Sequence, residues 1–171
     1  MIRVVDHDPA WRATFEIEAR RIADTPAPVS VRIHHIGSTA IPGIKAKPII
    51  DMLLEVDSLA ALDDRTTALE SLGYEAMGEF GIEGRRYFRL SGADGERLYQ
   101  IHAFETGVPN VVRHLAFRDY MRTHPSIAAE YSALKDRLAA MHPNDIEAYM
   151  DGKDAFIKEH QRLALLWMAA R

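Results

Sequence analysis

The spacing of apolar side chains predicts a helix near the start of the chain. Residues 11–23 read WRATFEIEARRIA, in which the large apolar residues lie close to helical spacing. Asp8 and Pro9 precede this run, which is typical of an N-cap followed by a proline in the first turn. We therefore predict a helix that is capped by Asp8, has Pro9 in its first position and ends within residues 25–28.

Two extended segments follow this helix. Residues 29–36 alternate between apolar and polar side chains and end at Gly37, which predicts a strand with one polar face. Residues 48–56 are almost continuously apolar, as in a strand that is covered on both faces. Asp51 is the polar exception within this second strand.

The middle of the chain predicts one more helix and then short strands. The helix begins at Ser58 and ends at Gly73, which is suited to a C-cap. Three β-type segments follow at residues 74–80, 85–92 and 97–105. An Ala-Asp-Gly turn separates the last two, which predicts a β-hairpin.

After Pro109 the pattern is helical to the end of the chain, with breaks at Pro125 and Pro143. The order of the elements predicts an α+β fold with a single mixed β-sheet, flanking helices and a helical C-terminal third. We expect residues 1–171 to form one domain, since this length is sufficient for one hydrophobic core.

Composition narrows the classes of function. The chain has no cysteine, so disulfides and thiolate zinc sites are excluded. The formal net charge of −4 argues against nonspecific binding of nucleic acid, which usually requires a basic surface. Neither an N-terminal leader nor a long apolar run is evident, so we expect a cytoplasmic protein without a membrane partner.

The candidate chemistry lies where the two predicted strands meet. Gly37 and Ser38 follow the first strand, and a glycine turn with a hydroxyl group can hold phosphate oxygens. Such a pair is more often only a turn. Asp51 strengthens the functional interpretation, because a carboxylate in an apolar strand must be paired, bound to a metal or used in a loop cap.

The segment HHIGSTAIPGIKAKPIID resembles the Gly-Ser and Asp signature of DNA polymerase beta-type nucleotidyltransferases. More specifically, it resembles the signature of the GrpB family. The resemblance continues in GRRYFR, in the strand with Ile101 and His102, and in LAFRDYMRTHP and EYSALKDRLA. It extends from VVDHDPAW to DAFIKEH and implies a nucleotidyltransferase-like fold.

The resemblance also implies roles for single residues. Asp51 corresponds to a catalytic, metal-binding acid, with Mg²⁺ or Mn²⁺ as the expected ion. The second acid of the superfamily motif is replaced by Leu53, so the carboxylate pair that two-metal chemistry requires is incomplete. Glu55 lies on the same strand face but further along, where we expect it to reach solvent. His102 falls where a third acid is expected and is a candidate metal ligand or general base.

The remaining candidates would bind a ligand. Gly37 and Ser38 are expected to hold phosphate, with Lys47 beside them at the start of the second strand. Arg86 and Arg89 are candidates for clamping an anion, although their alternation puts them on opposite faces of a regular strand. The alternative for these arginines is a solvated edge strand.

Two functions remain open from the sequence. The first is an enzyme that transfers a nucleoside monophosphate from a nucleoside triphosphate to a small acceptor. The alternative is a catalytically reduced protein on the same fold that binds a nucleotide or another phosphorylated small molecule. Assaying metal-dependent transfer after Leu53 is replaced by aspartate would separate the two.

Overall fold

A computed structural model describes residues 1–25 and 31–171. Within them the strands are β1 (Val31–Ile36), β2 (Ile50–Val56), β3 (Glu75–Ala76), β4 (Arg86–Ser91) and β5 (Arg97–Glu105). The helices are α1 (Trp11–Ala23), α2 (Leu59–Asp63), α3 (Thr66–Ser71), α4 (Pro109–Thr123), α5 (Pro125–Met141) and α6 (Ile146–Ala169). A single 3₁₀ turn, Ser38–Ala40, follows β1.

The strands form one mixed sheet in the order β1-β2-β5-β4-β3. The pairing of β2 with β5 is parallel, and the other three pairings are antiparallel. Strand β2 has a neighbouring strand on each side, so it is an internal strand of the sheet. The predicted α+β fold with a single mixed sheet, flanking helices and a helical C-terminal third is confirmed.

The two faces of the sheet are covered by different helices. On one face, Met52 and Leu54 of β2 pack in a core with Trp11 of α1, Leu62 of α2 and Leu69 of α3. On the other face, a smaller core consists of Ile36, Leu53, Phe104 and Val111. Because side chains alternate along a strand, Asp51 lies on the same face as Leu53, towards the C-terminal helices.

The C-terminal helices form a third core with the loop after the 3₁₀ turn. Ile41 and Ile44 of this loop pack against Ala116 and Met121 of α4 and Ala164 of α6. The loop is thereby fixed between the sheet and the helical layer. In the described residues, no helix combines the length and the apolar character that crossing a membrane requires.

One predicted boundary differs from the structure near the start of the chain. Helix α1 begins at Trp11 rather than at Pro9, because the Asp8 carboxylate and carbonyl accept from the backbone N–H groups of Ala10 (2.9 Å) and Trp11 (3.0 Å) in a preceding turn. Strand β1 begins at Val31. The predicted strand residues 29–30, and most of the predicted helix end, lie outside the described residues.

The helix predicted from Ser58 to Gly73 is two short helices. Ser58 caps the first, since its Oγ accepts from the Ala61 N–H (3.2 Å). The division falls at Asp64 and Arg65, within a run of residues of modest helix propensity. Gly73 ends the second helix with φ +102°, as a glycine C-cap does.

The hairpin and the helix breaks agree with prediction. Strands β4 and β5 pair antiparallel around a turn in which Gly95 has φ +82°, and the register shifts between Leu90 and Ser91. Of the predicted strand at residues 74–80, two residues pair as β3. The breaks expected at Pro125 and Pro143 separate α4, α5 and α6.

Candidate functional site

A cavity of about 160 Å³ lies beside the start of β2, where the 3₁₀ turn faces α5 and α6. Its polar lining includes Ser38, Lys47, Asp51, Lys135, Lys153 and Tyr149. We call it the lysine cavity. It is smaller than the roughly 300–1,000 Å³ usual for sites that enclose a whole small molecule, so it suits a single charged group. The structure thus brings Ser38 and Asp51 to one cavity, as the sequence predicts.

Gly37 is required at this position by the close approach of Asp51. Its backbone has φ +74° and ψ −174°, a conformation that is essentially restricted to glycine. A Cβ atom at this position would lie 2.9 Å from Asp51 Oδ2 and 3.1 Å from Asp51 Cβ. The glycine that we expected to admit a ligand therefore admits the Asp51 side chain.

Asp51, His102 and Arg85 form a hydrogen-bonded series across the sheet. Arg85 Nη1 donates to His102 Nδ1 (3.2 Å), and His102 Nε2 lies 3.2 Å from Asp51 Oδ1. Because arginine is only a donor, Nδ1 must accept, and we assign the imidazole proton to Nε2, which donates to Asp51. Both ring nitrogens of His102 are thus occupied within the protein.

Gln100 supports Asp51 from the adjacent position of β5. With its amide nitrogen oriented towards Asp51, Gln100 donates to Asp51 Oδ1 at 2.8 Å. Its oxygen then accepts from Arg97 Nη1 and from the Tyr87 hydroxyl, each at 3.2 Å. Asp51 is therefore held by two donors from β5.

Lys135 is the most unusual residue of the site. It is 2% exposed, and in the described part of the chain its Nζ has no hydrogen-bond partner. The Nζ lies 4.5 Å from the centre of the Tyr131 ring, a cation–π contact that compensates only partly for lost hydration. A buried ammonium group without an acidic partner is costly unless a ligand supplies the counter-charge.

Lys153 and Lys47 share the ring of Tyr149. Their Nζ atoms lie 4.7 Å and 5.5 Å from its centre, so α6 presents one aromatic ring to two cations. Lys153 is buried, whereas Lys47 is partly exposed. Lys47 comes from the loop before β2, Lys135 from α5 and Lys153 from α6, and the three meet at one cavity.

The lysines of the cavity repel one another. Burial, followed by repulsion from Lys153 and Lys47, lowers the pKa of Lys135 from its ordinary 10.5 to about 7. Burial and then Lys47 lower the pKa of Lys153 to about 8, against an opposing contribution from Asp51. Burial also lowers the pKa of Lys47, again opposed by Asp51. One carboxylate thus compensates three lysines incompletely.

These residues do not fit the Mg²⁺ or Mn²⁺ ion that the family resemblance implies. Asp51 is the single carboxylate lining the described cavity, and the lone pair of His102 Nδ1 is occupied by Arg85. Across residues 1–25 and 31–171, no group of three or more His, Asp or Glu side chains is arranged to hold a metal. The surrounding ammonium groups favour an anion instead.

Leu53, which replaces the second acid of the superfamily motif, lies in the core. Leu53 has no exposed surface and packs with Ile36, Phe104 and Val111. An aspartate at this position would lie under α4 rather than in the cavity. The expectation that Glu55 reaches solvent is wrong, because it is 6% exposed and accepts from His34 Nε2 at 2.6 Å.

The two arginines that were candidates for an anion clamp are paired elsewhere. Arg86 lies on the opposite face of the sheet and donates twice to the Asp63 carboxylate, at 2.7 and 3.1 Å. Arg89 donates to the Glu75 carboxylate at 3.0 and 3.2 Å. Neither residue lines the lysine cavity, and Arg85 and Arg97 take the positions nearer to Asp51.

Sequence reasoning missed Lys135, Lys153 and Tyr149. A signal was present, because Lys135 falls in a stripe of buried residues on α5 with Tyr131 and Leu138 at helical spacing. A lysine within an apolar stripe of a helix indicates a buried charge, just as an aspartate within an apolar strand does. Either charge must be compensated from elsewhere in the fold.

Comparison with known proteins gives the family. A family model described as GrpB protein matches residues 1–162. A crystal structure of the conserved protein GrpB from Enterococcus faecalis has a TM-score of 0.91 and 41% identity, and the match covers 97% of this chain and 99% of that one. The shared fold is consistent with the nucleotidyltransferase-like placement expected from the sequence.

Curated relatives are longer than this chain. UPF0157 protein YqkA of Bacillus subtilis is 44% identical over 170 residues, which are 99% of this chain and 49% of YqkA. A protein named dephospho-CoA kinase from Mycolicibacterium paratuberculosis is 28% identical over 189 aligned residues, covering 97% of this chain and 46% of that protein. The chain thus spans about half the length of these two relatives.

Proposed function

We propose that this chain, which belongs to the GrpB family, binds the phosphate group of a nucleotide or of another phosphorylated small molecule in the lysine cavity. The observation that carries the proposal is Lys135, a buried lysine whose Nζ has no hydrogen-bond partner in the described residues. A phosphate would supply the missing acceptors and counter-charge, since it offers several oxygens and up to two negative charges.

The arrangement of charge supports an anion of this size. Lys47, Lys135 and Lys153 surround the cavity, and Asp51 is already hydrogen-bonded to His102. An anion among the three lysines would relieve their mutual repulsion and raise their pKa values towards the ordinary value of 10.5. The Ser38 hydroxyl provides a donor that does not depend on pH in this range.

The size of the cavity bears on how the ligand would be held. A volume of about 160 Å³ suits a phosphate group and leaves the rest of the ligand near the rim, where Met150 is exposed. A nucleotide is one class of ligand that fits this description. The name dephospho-CoA kinase, carried by a longer relative, agrees with a nucleotide-related ligand, although that activity is a property of the whole relative.

Binding is supported better than nucleotidyl transfer. Transfer through two metal ions requires bridging carboxylates, whereas Asp51 is the single carboxylate among the described residues that line the site, and Leu53 lies in the core. His102 cannot act as a general base from its present contacts, because its acceptor nitrogen faces Arg85. The binding alternative needs neither a second acid nor a free imidazole.

Thermal unfolding with and without ligand tests the proposal. Pyrophosphate, ATP and a sugar phosphate are each added without metal, and at least one should raise the melting temperature, because a ligand that binds only the folded state stabilises it. The same series with Mg²⁺ or Mn²⁺, combined with an assay for nucleotidyl transfer to added acceptors, examines the enzymatic alternative. If none of the phosphorylated ligands stabilises the protein, the proposal is wrong.

Calorimetric titration of a stabilising ligand then locates the site. Lys135→Met should weaken binding by about tenfold or more, the effect of losing one hydrogen bond between charged groups. Arg89→Met removes a cation that is paired outside the cavity and serves as the matched control. Equal affinity in the two variants would place the ligand elsewhere.

A further inference from the structure

A second cavity, of about 630 Å³, lies between α1 and α4. Its lining includes Arg12, Phe15, His35, Thr39, Arg118 and Arg122. The volume is about four times that of the lysine cavity and falls within the usual range for small-molecule sites.

The polar side of this α1–α4 cavity carries an excess of positive charge. Arg12 is paired with Glu16 (3.2 Å) and Arg118 with Asp119 (2.9 Å). Arg122 has no carboxylate partner in the part of the chain that the structure describes. Its Nε donates instead to the neutral carbonyl of Ala40 at 2.9 Å.

The Ala40 bond fixes Arg122 while leaving its charge uncompensated. Arg118 is anchored in the same way, with Nη1 donating to the His35 carbonyl at 3.3 Å. The two arginines are one helical turn apart on α4, so their guanidinium groups face the same cavity. Two fixed guanidinium groups present a geometry that matches the oxygens of a carboxylate or phosphate.

Other lining residues give the cavity an apolar side. The Phe15 ring stacks on His35 with centres 4.7 Å apart and an angle of 10°, and Ile33 and Pro42 also face the cavity. Burial, followed by repulsion from Arg122, lowers the pKa of His35 to about 4, so this ring is neutral near pH 7. A ligand with both an anionic group and an apolar part would satisfy the two kinds of surface.

We propose that the α1–α4 cavity is a second binding site, which takes a small anionic molecule with an apolar portion through Arg118, Arg122 and Phe15. This proposal does not depend on the lysine cavity, because the two cavities share only Thr39 among their lining residues. Each can be occupied while the other is empty.

Phenyl phosphate is a suitable probe, since it combines an anion with an aromatic ring. Titration of the full chain, followed residue by residue in ¹H–¹⁵N spectra, should shift the signals of Phe15, His35 and the Arg118–Arg122 turn. Arg122→Gln should weaken binding at these signals by about tenfold. Arg137→Gln, which removes a cation from the exposed surface of α5, should leave binding unchanged.

Folding of the variants is controlled independently. Melting temperatures are measured without ligand, and Arg118→Gln replaces Arg122→Gln if loss of the Ala40 bond unfolds the protein. Shifts confined to the surroundings of Lys135, Tyr149 and Lys153 would overturn the proposal, because the probe would then occupy the lysine cavity. Equal affinity in the Arg122→Gln and Arg137→Gln variants, or no binding at millimolar concentration, would also overturn it.

Discussion

Two pairs of cationic residues in this fold differ in whether a carboxylate compensates their charge. Arg86 and Arg89 of the hairpin each make two bonds to a carboxylate, Asp63 and Glu75 respectively. Lys135 and Lys153 of the C-terminal helices are buried at one cavity, and neither makes a salt bridge within the described residues.

The difference shows which cations are available to a ligand. A paired arginine near the surface already has a partner, and a competing anion would have to displace it. A buried lysine that has no acidic partner gains more from an anion, since the desolvation of its charge has not been offset by any group of the protein. A lysine or arginine at an apolar position of the sequence therefore indicates an anion-binding site better than a large number of cationic residues does.

The largest effect should come from displacing Asp51, the one carboxylate that lines the described lysine cavity. Gly37→Ala combines a backbone conformation restricted to glycine with a Cβ contact of 2.9 Å to Asp51. We expect a loss of about 3 kcal/mol in the free energy of unfolding, measured by chemical denaturation. Gly43→Ala is the matched control, because its φ is also positive but nothing lies within 4 Å of its Cβ. An equal loss in both variants would contradict the close approach of Asp51.

The next largest effect is the dependence of the free energy of unfolding on pH. The pKa of Lys135 is about 7 in the folded protein and near 10.5 when it is unfolded, so between these values the unfolded chain binds more protons. Stability should therefore rise with pH in this window, by roughly 2 kcal/mol from Lys135 between pH 7 and pH 9, and Lys153, whose pKa is about 8, should add to the rise. Denaturation at both pH values should show a smaller rise for Lys135→Met. Lys158→Met, at an exposed lysine paired with Asp154, should keep the wild-type dependence, and the same dependence in Lys135→Met would contradict the assignment.

A smaller effect, on the affinity for pyrophosphate, is expected when a carboxylate is added beside the lysines of the cavity. Met150 lines the lysine cavity and is 47% exposed, so Met150→Glu would add an acid without removing a lysine. The added charge should reduce affinity for pyrophosphate by about tenfold, because it would compete for the same ammonium groups. Met150→Gln has nearly the same shape without the charge and should bind as the wild type does. Calorimetry that gives equal affinities for the two variants would show that the lysines are not the anion-binding groups.

The smallest effect is expected for the paired arginines of the hairpin. Arg89→Met removes a partly exposed cation that Glu75 already compensates. Both the melting temperature and the affinity for pyrophosphate should remain close to the wild-type values. A clear loss of affinity in this variant would return Arg89 to the set of ligand-binding residues.

Much of the fold was predictable because local patterns and long-range packing agree. The apolar run with Asp51 is an internal strand, and the prolines at 125 and 143 separate the last three helices. The hairpin also follows from its turn residues. Prediction and structure differ where the local sequence allows two structures. Asp8 was predicted to cap the first helix, but it forms a turn before that helix.

The site was predictable only in the part that lies close together in the sequence. Ser38 and Asp51 are thirteen residues apart, and the resemblance already joined them in one motif. Lys135 and Lys153 come from helices distant in the chain, and only tertiary packing brings them to Asp51. The faces of Arg86 and Arg89 followed from alternation, but the acidic partners supplied by α2 and β3 did not.

A partition one side chain thick separates the chambers that open on either side of the Ser38–Ala40 turn. Thr39 faces both chambers, and its Oγ1 is fixed between His35 Nε2 (2.9 Å) and the Ile49 carbonyl (3.3 Å). Because that hydroxyl is bonded on both sides, the Thr39 side chain is fixed as a wall common to the two chambers. The dimensions of the two chambers are therefore coupled, and a residue exchanged at position 39 would enlarge or reduce both at once.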